Sequence, residues 1–365
     1  MRFYQDIPLI ASEAVIMEEL EAMTGEPLFP VNRDDEEGWR QVRWRVEGWR
    51  RERGLGFIAE SNHVVGLSLR GLDRYFEGNL FMGNLPEFFL SLTNLRVLDL
   101  AENKLSALPE SFDRLSNLCE LNLSYNELSA LPESFGNLAN LQILDLCNNQ
   151  LQNLPEGFER LTGMTHLLLG YNQFDTLPKS FQRLTRIKTL NISNNAFTTF
   201  PESLLSLIDL QVLSLANNRL LSLPETFGNL NNLETLDLED NQLQSLPESF
   251  AQLMNLKELN LRKNNFRSLP LLIGRFPHLR TVKVQANPYE PTSLIQFLQL
   301  KRSNSRIAVP PSLFNNPLLQ NLYASSLTLV DTVCPFCGTS KLVKGKEIGT
   351  DHVVTLCLMC GNHIH

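Results

Sequence analysis

The hydrophobic positions of this chain recur with a period of 23 residues. Asparagine occupies one position of the period nine times from Asn103 to Asn287, and proline occupies another nine times from Pro86 to Pro270. One period reads Leu118-x-x-Leu121-x-Leu123-x-x-Asn126-x-Leu128-x-x-Leu131-Pro132-x-x-Phe135. Two sets of residues locked to one period are typical of a repeat protein whose units stack on one another.

Each part of the period predicts a structural element. Leu121 and Leu123 are two residues apart, so they share one face of a strand, and strands of successive repeats should pair in parallel about 4.8 Å apart. The Asn126 amide should satisfy the backbone of the turn that follows. Pro132 should hold the return limb extended, and the recurring phenylalanines should stack as an aromatic spine. We therefore predict an α/β repeat fold, a curved solenoid with a parallel sheet on its concave side, over residues 64–290.

The repeat motif resembles the leucine-rich repeat. Its Leu-Pro-x-x-Phe form at 23 residues is similar to that of Ras-suppressor-type, Scribble-type and Roco proteins, and to short archaeal repeat proteins with an N-terminal cap. The resemblance implies adaptor or scaffold work, often in GTPase or ubiquitin signalling, and names no partner.

Both ends of the array need caps, because an open end leaves apolar surface and a strand edge in water. In the N-terminal cap, residues 1–63, Ser12 should cap a helix to about Met23, Trp39 to Trp49 follow helical spacing, and a hairpin should flank Ser61-Asn62-His63. The first repeat carries an insertion near residues 74–79, either a plain loop or a partner contact. Residues 291–332, with a short helix from Thr292, form the predicted C-terminal cap and linker.

Two Cys-x-x-Cys pairs lie near the C-terminus, at Cys334 and Cys337 and at Cys357 and Cys360. Four thiolates with this spacing fit a closed tetrahedral site for structural Zn²⁺. The segment resembles a zinc ribbon and predicts a small zinc-ribbon domain over residues 333–365. A redox pair and four unligated thiols are the alternatives.

The side chains that alternate with the core leucines should face the concave surface. We expect the partner-binding residues there, because tyrosines rimmed by charge are typical of interface centres. The candidate partner-binding residues are Asp99, Glu102, Glu120, Tyr125, Asp145, His166, Leu168, Tyr171, Asp237, Asp240, Arg262 and Lys263.

Charge narrows the classes of partner. The chain has a formal net charge of −8, which disfavours whole-surface attraction to nucleic acid or anionic membrane. Only the tail is basic, with six basic and three acidic residues over 301–365. We expect no secretory signal, no membrane span and a cytoplasmic location, since the start of the chain lacks an apolar core and the cysteine pairs suit a reducing compartment.

No sequence motif for a catalytic centre is present, so we expect a non-enzyme without a small-molecule substrate. The leading hypothesis is a scaffold or adaptor in signal transduction that recognises a protein on the concave face. Two alternatives remain open. One is a nucleic-acid-associated factor that uses the basic zinc ribbon, and the other is an accessory subunit of a signalling enzyme acting on GTP or ubiquitin.

Overall fold

The computed structural model describes residues 2–4, 7–24, 28–30, 55–71 and 83–290, together with five short strands nearer the C-terminus. The chain divides into two compact units, Met1–Asn195 and Ala196–His365. The predicted boundaries at 63/64, 290/291 and 332/333 stay predictions. The proposed helix around Trp39, the insertion at 74–79 and the helix from Thr292 lie outside the described residues.

The first unit begins with a small segment of strands and one helix and continues into the repeats. Its strands and helix are β1 (Arg2–Tyr4), β2 (Ile7–Leu9), α1 (Ala11–Thr24), β3 (Phe29–Pro30), β4 (Leu55–Glu60), β5 (His63–Leu69), β6 (Val97–Asp99), β7 (Glu120–Asn122), β8 (Ile143–Asp145), β9 (His166–Leu168) and β10 (Thr189–Asn191). Strands β1 and β2 pair antiparallel, and so do β4 and β5. From β5 to β10 each strand pairs in parallel with the next.

The N-terminal segment confirms the predicted hairpin and corrects the predicted helix start. Strands β4 and β5 meet at Ser61 and Asn62, which both have positive φ. Helix α1 begins at Ala11, so Ser12 lies inside the helix, and the Ile10 carbonyl accepts the first helical hydrogen bonds. A tertiary contact fixes this end: the buried Glu13 carboxylate accepts the Val64 N–H at 2.7 Å.

The repeated asparagine holds each turn and joins neighbouring repeats. Asn126 Nδ2 donates to the carbonyls of Leu123 and of Leu100, both at 2.9 Å, and Asn126 Oδ1 accepts the Leu105 N–H at 3.1 Å. Asn149 repeats this pattern one period later. The prediction that this amide satisfies the turn backbone is confirmed, because three otherwise buried backbone groups are paired by one side chain.

The return limb is extended only at its first residue. Pro109 has φ −65° and ψ 148°, and a 3-10 helix, Glu110–Arg114, follows it directly. The prediction of an extended limb was therefore wrong beyond the proline. In this unit the 3-10 helices are Glu87–Ser91, Glu110–Arg114, Glu133–Asn137, Phe158–Arg160 and Lys179–Arg183.

The 3-10 helices place the repeated phenylalanines in the core. Phe112 stacks on Phe135 with ring centroids 6.1 Å apart, and Phe135 stacks on Phe158 at 6.3 Å. These rings are at most 2% exposed, as are the core leucines Leu121 and Leu144 of the adjoining strands. The predicted spine is confirmed for these three repeats, and burial of rings and leucines between neighbours is what makes the array cooperative.

The second unit continues the same repeat. Its strands are β11 (Val212–Ser214), β12 (Thr235–Asp237), β13 (Glu258–Asn260), β14 (Thr281–Lys283) and β15 (Arg306–Ile307), paired in parallel, and its 3-10 helices are Glu202–Ser206, Phe227–Asn229, Glu248–Gln252 and Leu271–Arg275. Phe227 and Phe250 stack at 5.7 Å. A separate antiparallel sheet follows, with strands β16 (Leu327–Val330), β17 (Leu342–Lys346), β18 (Val353–Cys357) and β19 (His363–Ile364).

Candidate functional site

The residue before each repeated asparagine has a left-handed backbone. In the first unit these residues have φ between 54° and 60° and are Glu102, Tyr125, Asn148, Tyr171 and Asn194. The chain turns sharply there, and the backbone N–H groups of the first four of these residues still bond to the next repeat, as Tyr125 does to the Cys147 carbonyl at 2.8 Å. We call these residues the left-handed row. Tyr125 is 49% exposed and Tyr171 is 55% exposed, so the two rings are available to a partner.

A shallow groove lies beside the start of the left-handed row. It has a volume of about 300 Å³ and is lined by Glu102, Asn103, Lys104, Tyr125, Asn126, Glu127 and Asn148. The lining combines an aromatic ring with charges of both signs. At one end Arg70 forms an ion pair with Glu102 at 2.5 Å, a contact that the sequence pattern did not indicate because Arg70 precedes the regular repeats.

The last residues of strands β6 to β10, each of which lies between two apolar core residues, form a second line on the sheet face, the side of the sheet opposite the core. These are Asp99, Asn122, Asp145, Leu168 and Asn191, and they follow one another in parallel register. We call them the central row. Asp99 is 6% exposed and Asp145 is fully buried, while Leu168 is half-buried. The side chains of the central row are therefore less exposed to solvent than the two tyrosine rings.

Burial changes the titration of the two acids in the central row. It raises the pKa of Asp99 to about 6, and it raises the pKa of Asp145 to about 6 as well. The Cys147 thiol is next to Asp145, and burial together with that carboxylate raises the pKa of Cys147 well above its ordinary value. A thiol with a raised pKa holds little thiolate at neutral pH, so the structure gives Cys147 no nucleophilic character.

Two further predicted residues border the central row. Glu120 and His166 are the first residues of β7 and β9, and both are half-buried. The His166 Nδ1 atom lies 2.9 Å from Thr165 Oγ1. Burial and then the Lys188 ammonium lower the pKa of His166, which keeps the ring neutral at physiological pH.

In the second unit the predicted charges pair among themselves. Lys263 Nζ lies 3.4 Å from both Glu239 and Asp240, and Arg262 Nε lies 4.0 Å from Glu239. Asp237 is half-buried, and burial raises its pKa. The structure thus brings the twelve predicted residues together as two groups, eight in the first unit and four in the second, and the second group neutralises much of its own charge.

The cysteine pairs fall almost entirely outside the described residues. Cys334, Cys337 and Cys360 lie outside them, and Cys357 is the last residue of β18. In the antiparallel sheet Cys357 pairs with Leu342, the first residue of β17, and Leu342 pairs with Val330, the last residue of β16. The connection 331–341, which carries the first pair, and Cys357 of the second pair therefore lie at the same end of the sheet.

Two protein-family models match the repeats of this chain. A model described as a leucine-rich repeat region matches residues 89–205, and a second described as leucine rich repeat matches residues 208–266. A comparison with curated proteins gives no match. Within the part of the chain that the structure describes, no helix has the length and apolar content needed to cross a membrane.

Three solved structures show the same fold. The leucine-rich repeat domain of the type III effector XopL is 27% identical, with a TM-score of 0.51 over 61% of this chain and 76% of that one. Toll in the Drosophila Toll–Spatzle complex is 26% identical, with a TM-score of 0.50 over 67% and 30%. The ectodomain of the Arabidopsis thaliana receptor kinase GASSHO1/SCHENGEN3 is 23% identical, with a TM-score of 0.55 over 82% and 42%. This chain spans less than half the length of the latter two.

Proposed function

We propose that this leucine-rich-repeat chain is a non-catalytic scaffold that binds a protein partner on the sheet face of its first unit, with Tyr125 and Tyr171 at the centre of the contact. The observation that carries the proposal is the pair of exposed tyrosines at left-handed positions. Large aromatic side chains near the centre of a surface supply much of the binding energy of protein interfaces.

The fold gives no reason for tyrosine at these two positions. A left-handed backbone is unfavourable for most residues by roughly 1 kcal/mol, and asparagine tolerates it best after glycine. Asn148 and Asn194 hold the same position in neighbouring repeats with the same φ. Tyrosine adds a backbone penalty and leaves half of a large ring in water, so its presence is best explained by a contact with another molecule.

The comparisons support a protein as that molecule. The solved Toll structure is a complex with Spatzle, and its repeat array is similar to this one. A repeat array similar to this one therefore belongs to a protein that forms a complex with another protein. The lining of the groove beside Tyr125 combines an aromatic ring with polar and charged side chains, and protein interfaces use both kinds of group.

The test is affinity capture followed by measurement with the purified partner. We expect a protein that binds wild type to lose at least tenfold in affinity for Tyr125→Asn/Tyr171→Asn. The matched control is Leu221→Asn, which removes another exposed apolar side chain, 58% exposed, from the second unit. Equal binding by the tyrosine variant and the control would contradict the proposed site.

We also propose that Cys334, Cys337, Cys357 and Cys360 bind one structural zinc ion. Four thiolates in two Cys-x-x-Cys pairs are a complete tetrahedral donor set for zinc. The strand register supports the pairing, because Cys357 and the connection that bears the first pair lie at the same end of the four-stranded sheet. Bound zinc would supply folding energy to a small sheet and leave no open coordination position for catalysis.

Native mass spectrometry tests the zinc proposal directly. We expect one zinc ion per chain in protein made with zinc in the medium, and none in Cys334→Ser/Cys337→Ser. Cys119→Ser is the control, since Cys119 is a free thiol in the repeats. A wild-type chain without zinc under these conditions would overturn the proposal.

A further inference from the structure

Asp99, Asn122 and Asp145 of the central row perform the same backbone task. Asp99 Oδ1 accepts the Ala101 N–H at 2.9 Å, and Asn122 Oδ1 accepts the Ser124 N–H at 2.8 Å. Asp145 Oδ1 accepts the Cys147 N–H at 2.7 Å. One oxygen atom on each side chain is enough for this turn, so asparagine and aspartate serve the backbone equally well.

The two aspartates carry a charge that this task does not need. Asp145 is fully buried, and within the described residues its Oδ2 atom accepts no hydrogen bond. Asn122 stands between the two acids, and its Nδ2 atom is likewise buried without a hydrogen-bond partner. Burying a carboxylate without pairing it is unfavourable, and the raised pKa of Asp99 and Asp145 expresses that penalty.

The charges around the central row do not remove this excess. Arg70 acts on both aspartates, yet it is ion-paired with Glu102. Glu120 precedes Asn122 in β7, and Glu127 lines the groove with the single basic residue Lys104. The sheet face of the first unit is therefore acidic where the tyrosines are exposed, and a buried charge is poorly screened by water, so its attraction reaches the surface above it.

We infer that the protein partner seats an arginine or lysine side chain over the central row at Asp99, Asn122 and Asp145, beside Tyr125 and Tyr171. This inference rests on the proposed function. An organic cation fits better than a metal ion, since the described residues contain no group of three His, Cys, Asp or Glu side chains able to hold one. A guanidinium or ammonium group gains both from the unscreened carboxylates and from the faces of exposed tyrosine rings.

Selection from a phage-displayed library of random twelve-residue peptides tests the chemistry of the partner. The full-length chain is the bait, and selected peptides are then measured against Asp99→Asn/Asp145→Asn and Tyr125→Asn/Tyr171→Asn. Asparagine preserves the backbone bond, as Asn122 shows, so the aspartate variant should fold; its far-ultraviolet circular dichroism and melting curve verify this.

We expect the selected peptides to be enriched in arginine or lysine and to lose at least tenfold in affinity for each variant. Peptides that depend on the tyrosines but lack basic residues and bind the aspartate variant as tightly as wild type would overturn this inference and leave the proposed function standing. Peptides that bind all three proteins equally, or a selection without enrichment, would contradict both.

Discussion

The side-chain nitrogen of Asn126 lies 2.9 Å from the carbonyl oxygen of Leu100, which belongs to the preceding repeat. The same nitrogen lies 2.9 Å from the Leu123 carbonyl of its own repeat. The repeated asparagine thus joins two neighbouring repeats in addition to closing the turn of its own repeat. Stability in such an array is the sum of the repeats and their interfaces, so this side chain contributes to both.

Asn126→Ala should lower the free energy of unfolding by roughly 2–4 kcal/mol. It leaves the buried Leu105 N–H unpaired and removes two bonds to backbone carbonyls, which still accept from the asparagines of the neighbouring repeats. Asn140→Ala is the control: Asn140 donates one exposed bond to the Ser116 carbonyl and should lose only about 0.5–1 kcal/mol. Urea unfolding followed by circular dichroism measures both. A similar loss in the two variants would show that the buried asparagine is not the joint between repeats.

Adjacent 3-10 helices approach so closely that glycine is required at Gly136. A Cβ atom there would lie 2.4 Å from the Gly157 carbonyl oxygen, a backbone atom that cannot move aside alone. We expect Gly136→Ala to destabilise the chain by about 1–3 kcal/mol through overpacking. At Gly163 a Cβ would have ordinary contacts of 3.6 and 3.7 Å, so Gly163→Ala should be neutral or slightly stabilising. Urea unfolding followed by circular dichroism measures both variants.

The period of 23 residues was sufficient to predict the fold of the repeats, because every repeat has its strand, turn and core residues at the same positions. Asn126 and Phe135 take the roles that their recurrence indicates. The local errors arose where tertiary contacts decide. Helix α1 starts at Ala11, and near this end the Glu13 carboxylate accepts a hydrogen bond from the Val64 N–H. No sequence pattern within the helix indicates that contact.

The candidate site was only partly predictable. The alternation around Leu144 predicts that Asp145 lies on the sheet face, yet its complete burial depends on neighbours contributed by other repeats. The left-handed backbone of Tyr125 was missed, since the residue at this position varies from repeat to repeat. The asparagines at 148 and 194 were the available signal, because asparagine is enriched at positive φ.

The tyrosines of the left-handed row should lower the stability of the protein. We expect Tyr125→Asn and Tyr171→Asn each to raise the free energy of unfolding by about 0.5–1 kcal/mol, since asparagine is better suited to φ 56°. The reverse change, Asn148→Tyr, should lower it by a similar amount. Chemical denaturation provides the measurement. A loss of stability in both asparagine variants would mean that the rings support the fold, and the argument for a binding role would fail.

The buried aspartates should make stability depend on pH in a defined direction. The pKa of Asp145 is about 6 in the folded protein against an ordinary value of 3.8, so the folded state holds a proton that the unfolded state has released between these values. This contribution to stability is fully present below about pH 4 and is lost as the pH rises through 6. Asp99 behaves in the same way.

Asp145→Asn removes this dependence while keeping the bond to the Cys147 N–H. We expect the variant to be more stable than wild type by about 1–3 kcal/mol at pH 7.5 and to match it at about pH 3, because the aspartate is then protonated in both states. Asn122→Asp is the converse: a third buried carboxylate should destabilise the protein at pH 7.5 more than at pH 4.5. Denaturation at several pH values measures these differences between variants, which cancels the titration of all other groups. An Asp145→Asn variant that is less stable than wild type at pH 7.5 would show that the fold itself needs the charge. A more stable variant that binds the partner less tightly would show that the charge is held for recognition.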